Sequence, residues 1–215
     1  MYKLSASILN ANFARLGDEI REVEDLIDEL HLDVMDGHYV DNISFGLPVI
    51  GTLRKEFSSL VFDTHLMISH PERYWEEFIE AGSDILVFHL EATTKAFLIL
   101  QRIKEKGRLA GISLNPATDV RLLEPVKDIL DRVLIMTVEP GFGGQRFLTP
   151  MLRKIERARE LLGDRVDIEV DGGINPTTIA EARSAGATTF VVGSSIFQSE
   201  DKRGEILRLR EALAT

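Results

Sequence analysis

The sequence predicts an α/β chain closed into a single (β/α)8 barrel over residues 1–215, and three observations carry that expectation. Short β-like runs alternate with amphipathic helical segments from end to end. They complete eight repeats, which leaves no natural sheet edge, and neither a linker nor a shift of composition divides the chain. On several strands one face is polar and the other apolar.

The strand runs are KLSASIL (3–9), LHLDVM (30–35), VFDTHLMI (61–68), ILVFHL (85–90), LAGISL (109–114), RVLIMTV (132–138), DIEVD (167–171) and TTFVV (188–192). Between the first two, Leu16, Ile20, Val23 and Ile27 recur at spacings of 3 and 4, which predicts a helix over 13–30. Asn12 before Phe13, Pro71 opening PERYWEEF, and Thr149-Pro150 read as helix starts. Ala81-Gly82 and Ala185-Gly186 each lead into a strand, as a left-handed glycine C-cap would.

An open doubly wound sheet shows the same alternation and is the structural competitor. Strand parity separates the two. His31, Asp33 and Met35 share one face of the second strand, opposite Leu32 and Val34. Asp63, His65 and Met67 share a face of the third, Glu169 and Asp171 of the seventh, and Ser5 and Ser7 of the first. The apolar faces suit outer helices, so the polar faces look inward. A parallel sheet covered on both sides has no use for four such faces.

Composition narrows the function. Hydrophobic residues make up 44% and charged residues 28%, ordinary for a globular protein. A net charge of −10 argues against nucleic acid or an anionic membrane as partner, and an anionic ligand would need a local source of positive potential. Cysteine is absent, which removes disulfides and thiolate chemistry and fits a reducing compartment. The opening residues Met1–Ser5 enter the first alternating run without a signal-peptide layout. No apolar run approaches the roughly 20 residues needed to cross a bilayer. The expectation is a cytoplasmic protein with no membrane partner.

The densest chemical signal is HLDVMDG, His31 to Gly37. His31 and Asp33 project the same way, and His65 and Asp171 occupy equivalent strand ends, the level where barrel enzymes place reacting groups. Two imidazoles and two carboxylates suit one divalent ion among Zn²⁺, Fe²⁺, Co²⁺ and Mn²⁺. Each residue alone reads as a hydrogen-bonded buried polar group; four on matching strand ends read as a site. Asp63 and Glu169, two positions deeper, are candidate supports for those ligands. His89, sharing parity with Glu91, is a weaker one, and His38 and His70 read as solvated or structural.

EPGFGGQRF (139–147), VDGGIN (170–175) and VVGSSIF (191–197) follow the last three strands. Glycines there let backbone N–H groups approach an anion, and barrel phosphate sites commonly use the loops after strands seven and eight. Such dipoles supply the missing positive potential. Met35, Met67 and Met136 end strands and read either as core packing or as a water-poor wall beside a reacting carbon. No lysine stands at a strand C-terminal end, which disfavours Schiff-base chemistry. The dinucleotide fingerprint GxGxxG is also missing from the βα context it requires.

Taken in order, SASILNANF, LHLDVMDGHYVDNISFG, DTHLMI, GISLNPAT, LIMTVEPGFGGQRF, IEVDGGIN and VVGSSIF resemble the ribulose-phosphate 3-epimerase (pentulose-5-phosphate 3-epimerase) family through nearly the whole chain. The resemblance implies a TIM barrel of the ribulose-phosphate-binding type forming one catalytic domain, and an isomerase of carbohydrate metabolism. It implies His31, Asp33, His65 and Asp171 as metal ligands, with Asp33 and Asp171 doubling as acid and base. It also implies a substrate contact at Ser7 and His65, and phosphate contacts at Gly141, Phe142, Gly143, Gly144, Gly172, Gly173, Gly193 and Ser194. The substrate implied is the sugar phosphate D-ribulose 5-phosphate, exchanged with D-xylulose 5-phosphate through a metal-stabilised enediolate. A homo-oligomer is the accompanying expectation. Two alternatives stay open: an epimerase of a hexulose 6-phosphate such as D-allulose 6-phosphate, and a non-catalytic phosphate-binding barrel. The decarboxylases that resemble this barrel carry Asp-x-Lys-x-x-Asp, and Met35 stands where that lysine would be. Ala6 replaces a typical proline, Asn10–Asn12 replaces the commoner SAD, and Asp41 replaces another proline.

Overall fold

The structure, a computed structural model, describes residues 2–214, so the terminal Met1 and Thr215 of the expected 1–215 domain lie outside the described residues. Eight parallel strands close into a barrel in sequence order: β1 (Lys3–Ser7), β2 (Glu29–Met35), β3 (Val61–Met67), β4 (Ile85–His89), β5 (Leu109–Leu114), β6 (Arg132–Met136), β7 (Asp167–Asp171) and β8 (Thr189–Val192). β1 pairs with β8, so the sheet has no edge and the open alternative is excluded. β1 stops at Ser7, short of the expected Leu9, because Ser7 accepts from the Leu9 amide and caps a 3-10 turn over Ile8–Asn10.

The helices are α1 (Leu16–Arg21), α2 (Leu47–Glu56), α3 (Pro71–Ala81), α4 (Ala96–Glu105), α5 (Met151–Leu162), α6 (Pro176–Ser184), α7 (Ser194–Phe197) and α8 (Lys202–Ala214). The helix expected over 13–30 is mostly not one. Asn12 caps a 3-10 turn at Phe13–Arg15, α1 ends at Arg21, and the chain continues in turns until β2 begins at Glu29. Leu16, Ile20, Val23 and Ile27 are nonetheless all buried, so the apolar spacing reported the packing and overstated the helix. Eight complete βα units are also not formed. Between β5 and β6 lies only a 3-10 turn at Val120–Leu123, after which Pro125 has no amide hydrogen to continue a ladder. Val120, Leu123, Val126 and Leu130 cover the barrel there instead. Gly82 and Gly186 end α3 and the turn after α6 with φ of 122° and 110°, as expected.

Leu30, Leu32, Val34, Leu66, Phe88, Ile112, Val133, Val170 and Phe190 pack outward into the main core against the helices. Their neighbours point inward. Ile85, Val87, Leu134 and Met136 form an apolar arc inside the barrel. Met35 and Met67 also face inward, and much of the rest of the interior is polar and buried, including Glu29, His31, Asp33, Asp63, His65, His89, Arg132 and Glu169.

Candidate active site

Strand register assembles the site. Asp33 pairs with His65 and Met35 with Met67 across β2 and β3, Met136 pairs with Asp171 across β6 and β7, and Ser7 pairs with His31 across β1 and β2. The inward-facing ends of five strands therefore meet at the C-terminal mouth of the barrel. One ligand atom from each of His31, Asp33, His65 and Asp171 falls within 4.8 Å of the others. Asp33 is the hub. Its Oδ1 lies 3.3 Å from His31 Nε2 and 3.2 Å from His65 Nδ1, and its Oδ2 accepts a 2.6 Å hydrogen bond from Ser7 Oγ.

Behind His31, Nδ1 lies 2.6 Å from Asp63 Oδ2 and 3.8 Å from Glu169 Oε1. The deeper carboxylates thus stand behind this imidazole, as their parity suggests. Asp63 and Glu169 form a second acidic group with His31, but Arg132 Nη1 already stands 3.3 Å from Asp63 and 3.4 Å from Glu169. A built-in guanidinium serves these acids as counter-charge. Burial alone would raise Asp63, yet the Arg132 and His31 charges hold it at about 2.

The site calls for positive charge. Burial opposes protonation of His31, but the Asp33 and Asp63 charges overcome it and hold the imidazole well above its ordinary range. Burial would raise Asp33, and the His31 charge with hydrogen bonds from His31 and His65 keeps it far below the usual carboxylate value. Asp171 goes the other way, pushed up to about 7 by burial and by the negative charge of Asp33. His31 Nε2 is buried and has no hydrogen-bond partner. Two imidazole nitrogens facing one carboxylate oxygen, one of them without a hydrogen-bond partner, and a second carboxyl beside them fit a divalent cation.

Above the cluster opens a cleft. Its walls hold Ser7, Asp33, Met35, Met67, Met136 and Asp171, and its rim holds Gly141, Phe142, Gly143, Gly144, Gly172, Gly173, Gly193 and Ser194. His31 and His65 lie fully buried beneath it. Gly172 and Gly173 both have positive φ, 119° and 69°. A Cβ on Gly173 would stand 2.3 Å from the Phe147 amide nitrogen, so the loops after β6 and β7 touch backbone to backbone here. Asn10, absent from the sequence reading of the site, also lines the cleft, and a Cβ on Gly143 would fall 2.0 Å from its Oδ1. Its position in the altered SAD segment was the available signal. Asp36, the second acid of HLDVMDG, turns away and accepts from the amides of His38, Tyr39 and Ser69, tying down the loop after β2. His38 and His70 are solvent-facing, as expected.

The sequence pattern of the Ribulose-phosphate 3 epimerase family matches residues 3–197. The chain belongs to that family. It is 44% identical over 215 residues to the ribulose-phosphate 3-epimerase of Bacillus subtilis (strain 168), covering 98% of this chain and 99% of that protein. The enzyme of the same name from Escherichia coli (strain K12) is 42% identical, covering 99% of this chain and 96% of the relative. Among solved structures, a 3-keto-L-gulonate-6-phosphate decarboxylase from Vibrio cholerae superposes with a TM-score of 0.79 at 14% identity, covering 99% and 97%. A 3-hexulose-6-phosphate synthase does so at 0.76 and 20%, covering 98% and 99%. These two share the barrel with the epimerase family, and the likeness concerns the fold. No helix among the described residues is long and apolar enough to cross a membrane.

Proposed function

We propose that the chain interconverts D-ribulose 5-phosphate and D-xylulose 5-phosphate by moving protons at C3 with Asp33 and Asp171. The observation that carries this is the convergence of two carboxyls, Asp33 and Asp171, from the non-adjacent strands β2 and β7 at the floor of one glycine-rimmed cleft. Inversion needs a proton taken from one face and another delivered to the opposite face. Asp33, ionised and steadied by Ser7, serves as base while Asp171 holds the proton to be given, and the roles exchange in the reverse direction. The family's name supplies the substrate; the paired carboxyls supply the chemistry.

His31, Asp33, His65 and Asp171 are the residues that would hold the divalent ion, whose contribution when bound is Lewis-acid stabilisation of the negative charge developing on the substrate oxygens. Zn²⁺, Fe²⁺, Co²⁺ and Mn²⁺ all suit this donor set. The loops at Gly141–Gly144, Gly172–Gly173 and Gly193–Ser194 hold the phosphate through backbone N–H groups, which answers the net charge of −10 without a lysine cluster. Met35, Met67 and Met136 are almost fully buried and limit water around the reacting carbon. The proposal includes one catalytic domain, a homo-oligomer and a cytoplasmic location, checked by limited proteolysis, light scattering and fractionation.

The deciding experiment purifies the protein without chelator, determines its metal content, and assays ribulose 5-phosphate in D₂O beside allulose 6-phosphate. Turnover that is lost to a strong chelator, restored by one of the four ions, and accompanied by deuterium at C3 is expected. Product that retains the substrate hydrogen would refute the two-carboxylate route. A higher specificity constant for the hexulose phosphate would reassign the substrate, and binding without turnover would leave a phosphate-binding barrel.

A further inference from the structure

His65 and His89 face each other through their Nε2 atoms, 2.8 Å apart, and both rings are fully buried. One nitrogen must carry the proton between them and the other must accept it. The far side of His89 decides which. His89 Nδ1 is buried and makes no formed hydrogen bond; Glu91 Oε2 stands 3.5 Å from it, and an ionised carboxylate favours an N–H over a lone pair on the nitrogen facing it. The His89 proton therefore belongs on Nδ1, and its Nε2 is a lone pair. His65 then donates from Nε2 and keeps its own lone pair on Nδ1, the atom 3.2 Å from Asp33 Oδ1 within the four-residue cluster.

We propose that His89 is a positioning residue that fixes the tautomer of His65, so that Nδ1 is the nitrogen offered to the cation. This rests on the reading of His65 as a ligand and goes beyond it. The surroundings hold the relay in place. Glu91 Oε1 accepts from the Asn115 amide at 2.8 Å and from Thr118 Oγ1, leaving Oε2 turned toward His89. The Tyr39 ring covers His89 with centroids 4.6 Å apart, and its hydroxyl accepts from Asn115 Nδ2 at 2.8 Å. His31 is set by the same logic with the ring reversed. Its Nδ1 donates to Asp63, and Nε2 is the free atom. Each imidazole of the centre is oriented by a partner behind it, a carboxylate for His31 and a histidine–carboxylate pair for His65.

The test is a long-range ¹H–¹⁵N correlation spectrum of histidine-labelled, Zn²⁺-loaded wild-type protein. His65 should be protonated at Nε2 with Nδ1 shifted by the metal, and His89 protonated at Nδ1 with Nε2 bare. A His89 protonated at Nε2 overturns the relay while leaving the metal centre intact, whereas wild-type protein that binds no Zn²⁺ refutes the ligand assignment and the relay with it. Zn²⁺ competition with a chromophoric chelator supplies the second arm. His89→Phe keeps an aromatic ring under Tyr39 but removes the acceptor, and should weaken Zn²⁺ binding by about 10–100-fold. His89→Gln offers Oε1 to the His65 N–H and should recover most of that loss. No loss in His89→Phe, or equal loss in both variants, overturns the proposal.

Discussion

Replacing Arg132 with methionine removes the cation that balances the barrel's floor. Its guanidinium makes a two-point fork with Glu29, at 2.7 and 2.8 Å, and a 2.7 Å bond to Asp167 Oδ2. Nη1 also stands 3.3 Å from Asp63 and 3.4 Å from Glu169. The side chains of Arg132, Glu29, Asp63 and Glu169 are 4% exposed or less, so water cannot take over when the arginine goes. Among the described residues Lys3 reaches Glu29, at 3.3 Å, and Asp167, at 2.9 Å, and neither Asp63 nor Glu169. Removing one member of a buried ion pair costs about 3–5 kcal/mol, because the other charge stays buried and uncompensated. For a chain of this length that corresponds to a fall in melting temperature of roughly 6–20 °C. Calorimetry on Arg132→Met, Glu29→Met and the double variant measures both the loss and the coupling. The double variant should recover about 0.5–3 kcal/mol relative to the sum of the single losses. A single-variant loss below about 1 kcal/mol, the range of a solvated surface pair, would refute the claim that this network is electrostatically isolated.

Asp33→Asn and Asp171→Asn should each lower kcat by at least about 10²–10⁴-fold, the usual scale of a positioned acid or base; stopped assays with full metal loading check this, and substantial activity in either variant sinks the scheme. Gly173→Ala forces a side chain onto a left-handed backbone and toward the Phe147 amide, so KM for the sugar phosphate should rise by about tenfold or more through the distorted cradle. An unchanged KM would separate this glycine pair from phosphate binding. Burial acts against ionisation of Asp167, but Arg132, Thr188 and Lys3 hold its carboxyl well below the ordinary range. A depressed folded value means stability that is present above about pH 4 and lost as pH falls through that lower value. The stability gap between wild type and Asp167→Asn should therefore shrink from pH 6 to pH 2 in denaturant titrations, and a constant gap would contradict the assignment.

Strand parity made the chemistry legible. His31, Asp33, His65 and Asp171 lie on polar faces of strands whose other faces are apolar, and a closed parallel barrel has one place for such faces. Parity also placed Asp63 and Glu169 behind His31, whereas Glu91 reaches His89 from the 3-10 turn Leu90–Ala92, beyond the end of β4, where strand parity no longer applies. It could not show that His89 and His65 touch, because that contact depends on ring rotation across β3 and β4. Helix extent was less legible. The spacing of Leu16, Ile20, Val23 and Ile27 is satisfied by any chain that returns to the same apolar surface, and here much of that return is made by turns.

Arg132 shows where the same rule runs out. Its parity is that of Leu134 and Met136, so its inward direction follows from β6 alone. An arginine inside a barrel is nonetheless implausible until its partners are known, and they come from β2, β3 and β7, at sequence separations of up to 103 residues. Local pattern specifies direction, whereas closure of the barrel specifies company. Asp63 and Glu169 face Arg132 as their buried guanidinium counter-charge, and one of them, Asp63, orients His31. The floor's charge balance and the aim of a candidate metal ligand are therefore joined through a single carboxylate. Arg132→Met should disturb cation binding as well as stability, while a surface substitution of equal thermal cost should disturb stability alone.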